Sequence, residues 1–138
     1  MTRILFAVLL MTLAGCATKP IAPNLATNAP AERVMAHQVP IAGGGTVTVV
    51  RDKGFLGSGC YLGVFVNGDL AAKLSRAERV KLYLPMGRTL LASRSVGGGL
   101  CENDRNGRSV AVQITPGDSF TYRLALSQDG VVSLMPLD

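Results

Sequence analysis

Tryptophan is absent from this chain, histidine occurs once, and three tyrosines and four phenylalanines are the only aromatic residues among 138. Any core it builds is therefore aliphatic, made from Val, Leu and Ile. The lone histidine, His37, sits in a Pro-punctuated stretch and offers no positioned base for a Ser-His-Asp relay. A zinc site needs three or four His, Cys or carboxylate ligands, and one His with Cys60 and Cys101 expected to be spent on a disulfide does not supply them. Charge is sparse as well: 14 Lys and Arg against 9 Asp and Glu give a formal charge of +5. The basic residues are scattered, with no run longer than two, so no nucleic-acid groove is indicated. The mild excess suits a solvated mixed surface and would favour anionic partners such as lipopolysaccharide phosphates or peptidoglycan carboxylates. Only one long apolar run exists, Ile4 to Leu13. It is about half the roughly 20 residues that a spanning helix requires.

That run begins behind Arg3 and ends in Leu13-Ala14-Gly15-Cys16, with polar Thr18, Lys19 and Pro20 close behind. The tetrapeptide resembles the lipobox of bacterial lipoproteins: Leu, two small residues, then an obligatory Cys. The resemblance implies removal of residues 1–15, diacylation of the Cys16 sulfur and acylation of the new amino terminus. A single acyl chain holds a protein only marginally, whereas each buried methylene adds about 0.8 kcal/mol. Three chains therefore anchor it permanently in one leaflet. Ala17 replaces the Asp that retains many Gram-negative lipoproteins in the inner membrane, which points to the periplasmic face of the outer membrane.

With Cys16 committed to lipid, Cys60 and Cys101 form an even pair in an oxidising compartment, and a disulfide is expected. Loss of residues 1–15 removes Arg3 and lowers the charge to +4. Residues 16–42 read as a flexible tether, punctuated by Pro20, Pro23, Pro30 and Pro40. Within it, Ala31 to His37 allows two helical turns after Pro30 or a segment docked on the domain.

Residues 43–138 switch to period two. Strands are predicted at 46–50, 60–66, 70–74, 80–84, 89–93, 110–114, 120–126 and 131–135. Asn67-Gly68 is a strong two-residue hairpin signal, and Thr115-Pro116-Gly117-Asp118 is a turn by composition. Seven to eight short strands with regular turn signals predict an all-β fold, a small antiparallel β-sandwich or barrel. Val64-Phe65-Val66-Asn67-Gly68 followed by Leu70 to Leu74, and Val80 to Leu84 running into Pro85-Met86-Gly87, resemble uncharacterised lipoprotein domains with PEGA-like, transthyretin-like sandwiches. The theme recurs where Thr115 to Asp118 leads into Ser119 to Leu126. The resemblance implies an adhesion, scaffold or accessory role rather than catalysis.

No catalytic or metal-binding residue and no cofactor are read from the remaining motifs. Gly54 to Gly59 lacks the Gly-Lys-Ser/Thr ending of a phosphate loop; Phe55 and Leu56 at its tip fold over the core edge, dock a partner or dip into lipid. Glu102 to Gly107 partly resembles a calcium loop but lacks the twelfth-position Glu, since Gln113 stands there. Asp52, Asp69, Glu78 and Asp118 fall at strand ends or turns and read as solvated acids. Loops on a rigid scaffold carry binding, so the 94–108 connection is the first candidate site, through Arg94, Asn103, Arg105 and Arg108. The expected function is a non-enzymatic envelope interaction or assembly module with an envelope-protein partner, its sheet edges open to strand addition. The alternative is a periplasmic inhibitor of a lysozyme-like wall-lytic enzyme, because Ser93-Arg94-Ser95 and its glycine run are similar to the Ser-rich loop of such inhibitors.

Overall fold

A computed structural model describes residues 18–54, 57 and 59–137. Cys16 and the tip residues Phe55 and Leu56 lie outside them. The fold is an all-β sandwich of two sheets. The strands are β1 (Thr27–Asn28), β2 (Gly45–Arg51), β3 (Tyr61–Val66), β4 (Asp69–Leu74), β5 (Glu78–Leu84), β6 (Gly87–Val96), β7 (Asn103–Ile114), β8 (Ser119–Leu126) and β9 (Val132–Leu137). One sheet has the order β1-β5-β2-β8-β9 and the other β4-β3-β6-β7. Neighbours are antiparallel except β1 with β5 and β2 with β8.

Each sheet turns one parity of its strands inward. Val47 and Val49 of β2, Leu62 and Val64 of β3, Leu82 and Leu84 of β5, and Leu124 of β8 meet in a single aliphatic core. The β3–β4 hairpin closes through Asn67 (φ 50°) and Gly68 (φ 94°). Both lie in the left-handed region, as a type I′ turn requires, which is why Asn-Gly is found here. The even-to-odd links β2–β3, β4–β5, β6–β7 and β8–β9 all lie at one end of the sandwich, where β2, β4, β6 and β8 finish. This is called the loop end below. Cys60 and Cys101 are bridged there, with Cα atoms 5.3 Å apart across 41 residues of chain.

The segment read as a flexible tether is instead laid along the sandwich from residue 18 onward. Thr18 donates through Oγ1 to the Leu126 carbonyl, and Lys19 and Lys53 exchange backbone hydrogen bonds of 2.6 and 2.9 Å. The strap then crosses to β5, where Arg79 donates to the Pro23 carbonyl and to Asn28 Oδ1. β1 adds to the β5 edge, and Val34 bridges Ala72 on the β4 edge, with Met35 N–H donating to the Ala71 carbonyl. Ala31–Arg33 forms one 3-10 turn rather than two α-helical turns. Low hydrophobicity does not leave this stretch loose, because the two sheet edges supply the backbone partners that satisfy it. The strap seals one side of the sandwich, while β7 and β9 end their sheets side by side on the other.

Arg33 fastens the strap. Its guanidinium donates to both Glu78 carboxylate oxygens at 2.7 and 2.6 Å and to the Lys73 carbonyl, and it lies 4.9 Å from the Tyr61 ring centroid. Burial pushes the Glu78 carboxyl up. The Arg33 fork, the Ser75 N–H and the charges of Arg33 and Arg51 outweigh it and hold the pKa below its ordinary value. A carboxylate with a lowered folded pKa contributes stability that is fully present above its unfolded value and is lost as pH falls through the folded one. Amide exchange of residues 27–36, corrected for intrinsic rates, is therefore expected to accelerate as pH falls below about 5. Glu78→Gln should weaken the strap by about 1–2 kcal/mol at neutral pH and remove that acid dependence. An unchanged acid dependence in Glu78→Gln would assign the loosening to another carboxylate.

Candidate functional site

The outer face of the four-stranded sheet carries a concavity of about 350 Å3, lined by Phe65, Ala92, Arg94, Asp104, Arg108 and Ser109 among others. Its floor depends on a missing side chain. Phe65 points away from the core yet is buried, because it folds back over Gly63. A Cβ at Gly63 would sit 2.8 Å from Phe65 Cε2 and 2.9 Å from Val96 Cγ1. The Arg94 guanidinium, directly across from Gly63, covers the ring at 4.1 Å from its centroid. Such stacking is attractive and holds the planar fork in one orientation.

The rim comes from an irregularity between β6 and β7. Ser93 pairs with Arg108 and Ser95 with Asn103, so one residue of β6 faces four of β7, Asp104 to Gly107. The Asn106 amide fills the gap in the ladder: its Oδ1 accepts from Ser95 N–H at 3.1 Å and its Nδ2 donates to Ser95 Oγ at 2.8 Å. Asp104 Oδ1 lies 3.0 Å from Arg94 Nε, but off the N–H axis, and Nε makes no hydrogen bond. The contact is an ion pair only, with Asp104 largely exposed, and is worth about 0–1 kcal/mol. Arg94 is thus held by the ring more than by the acid. Its two terminal nitrogens make no hydrogen bond to the protein among the described residues, and a guanidinium edge of this kind can pair with a planar oxyanion such as a carboxylate.

Of the four residues expected to form the binding loop, the structure brings Arg94 and Arg108 together on this concavity. Arg108 donates to the Gly107 carbonyl at the rim. Asn103 and Arg105 stand outside its lining: Asn103 Oδ1 accepts the Arg105 N–H at 3.0 Å, and both side chains are exposed. Phe65 and Asp104 were not expected at the site. The signal for Phe65 was present, since a glycine and a large aromatic two residues apart share one face of a strand. Ser93 has the opposite parity from Arg94; its hydroxyl is buried without a partner.

The acids also correct an expectation. Asp52 is not solvated but 2 % exposed, held by the Arg123 fork at 2.7 and 2.5 Å. Glu78 is likewise tied to Arg33. These two are engaged in ion pairs, and among the described residues no three His, Cys, Asp or Glu side chains gather as metal ligands. No known family matches this chain, and no curated protein matches it.

Proposed function

We propose that this protein is a lipid-anchored envelope domain, attached through acylated Cys16 to the periplasmic face of the outer membrane and acting as an interaction or assembly module rather than an enzyme. One observation supports this reading above the others. The strap closes the β4 and β5 edges, whereas β7 is left at the end of its sheet, and Ser109–Ile114 of β7 contains neither proline nor charge. Natural sheets blunt an idle edge with such residues, and an unblunted edge accepts an extended segment of a partner by strand addition. The Arg94 concavity adjoins that edge through Ser109 and would take an acidic side chain or carboxylate of the same partner.

The test is a crosslinking capture of the intact acylated protein from its own envelope. A dominant partner is expected with the wild type, lost with Cys16→Ala and reduced about tenfold or more with Ala111→Lys, which places a charge on the edge strand. Retention of the partner by Ala111→Lys would remove strand addition from the reading. Absence of any partner, together with inhibition of a lysozyme-like wall-lytic enzyme, would move the assignment to the inhibitor reading.

A further inference from the structure

The described chain starts in contact with the loop end of the sandwich. Thr18 is bonded to the Leu126 carbonyl, at the finish of β8, and Lys19 is paired with Lys53, just past the finish of β2. Only Ala17 separates Cys16 from that fixed point. Two residue steps span at most about 7 Å even when fully extended. Acyl chains on Cys16 therefore leave no room for the domain to stand off a bilayer, and one end of the sandwich must face the headgroups. The composition of that end fits such a face. Lys19, Lys53, Arg76 and Arg105 are exposed on it. Its exposed acids are Glu102, Asp104 and Asp129, of which Asp104 is paired with Arg94, so the four cations outnumber the two acids left without a basic partner. Leu100 projects from the β6–β7 connection at 104 % relative exposure, the most exposed of the large apolar side chains among the described residues, and the neighbouring Cys101 is tied down by its disulfide.

We infer that the loop end seats directly on the anionic lipid surface that holds the acylated Cys16, with Leu100 entering the headgroup layer and the four cations facing lipid phosphates. The inference rests on the lipoprotein reading of Cys16 and goes beyond it, because most of the residues read as a stand-off tether are spent on the strap. It fixes the orientation of the sandwich: the Pro85-Met86-Gly87 turn, at the opposite end, points away from the membrane.

The absence of tryptophan supplies the reporter. Leu100→Trp and Met86→Trp each create a chain with one tryptophan, at exposed positions on opposite ends. Each acylated protein is placed in vesicles of phosphatidylethanolamine and phosphatidylglycerol whose acyl chains carry bromine. Leu100→Trp is expected to emit to the blue of Met86→Trp and to be quenched about twofold or more over it, as for a side chain about 5–10 Å into the interface. Inserting about 15 Gly and Ser residues between Ala17 and Thr18, with a reach of about 21 Å, should abolish the difference. Hydrogen exchange of residues 97–102 in the unsubstituted acylated protein, slower on vesicles than in the soluble Cys16→Ala protein, reads the same contact without a substitution. Mass spectrometry of the Cys16 peptide separates the two levels. Acylated protein whose two tryptophans are equally unquenched would overturn the seating and leave the lipoprotein reading standing. Unacylated protein would overturn both.

Discussion

Arg51→Met is expected to destabilise the domain by about 3–5 kcal/mol, enough to lower the midpoint of thermal unfolding by roughly 15–30 °C for a domain of this size. Arg51 is 3 % exposed, and among the described residues no carboxylate is bonded to it. Its guanidinium donates instead to three carbonyls, those of Leu74 at 2.6 Å, Cys60 at 2.8 Å and Gly57 at 2.9 Å. Burial pushes its pKa down to about 10, with Glu78 opposing and Arg76 assisting the shift. It stays charged at neutral pH. Since the folded value is below the unfolded one, the native state binds fewer protons only above about pH 10, so this group adds no pH dependence between about pH 5 and 8. Methionine fills a similar volume and removes the buried charge, but leaves the carbonyls of β4 and of the β2–β3 connection without donors at about 1–3 kcal/mol each. Arg51→Lys should recover part of the loss, because one ammonium cannot span the three acceptors that a planar fork reaches. Urea unfolding of the two variants measures both. A loss below about 1 kcal/mol in Arg51→Met would mean that water satisfies the carbonyls.

Removing the Cys60–Cys101 bridge has the second large effect. A cross-link closing 41 residues restricts the unfolded chain by about 4 kcal/mol in the chain-entropy account. The domain's aliphatic core is small, so this is a large share of the usual 5–15 kcal/mol of net stability. The Cys60→Ser/Cys101→Ser protein is expected to unfold at lower urea by that amount and to show faster amide exchange at residues 57–62 and 97–103. Arg51 and the bridge hold the same β2–β3 connection, one through the Cys60 carbonyl and the other through its sulfur. The triple variant should therefore lose less than the sum of the two losses, by about 0.5–3 kcal/mol. Strict additivity would show that each stabilises the fold independently.

The sandwich itself was legible because its signals are local. Alternation located every strand from β2 to β9 except β7 to within a few residues, and Asn67-Gly68 marked its hairpin through backbone conformation alone. The bridge was legible from the compartment implied by the Cys16 motif. The strap was not, since it is aperiodic and is held by backbone partners on two edges and by Arg33, none of which leaves a periodic trace. β7 was expected at 110–114 and begins at Asn103, because Asn106 side-chain bonds stand in for ladder bonds that no pattern encodes. Arg51 and Asp52 look like surface charges at a strand end until the loop folds over them. Of the candidate site, Arg94 and Arg108 were found as loop cations, whereas Phe65 and Asp104 join them only through cross-strand placement.

The strap also defines how the domain meets mechanical load. A pull on the amino-terminal side of Thr18 meets a series of small catches, among them the Lys19–Lys53 exchange, the Arg79 fork, the two-residue β1–β5 ladder, the Arg33–Glu78 pair and the Val34–Ala72 bridge. They release one after another rather than together, so the strap peels at low force while the bridged sandwich stays intact. Once peeled, residues 18–42 become a coil reaching about 28 Å, a long compliant line in place of a fixed strap.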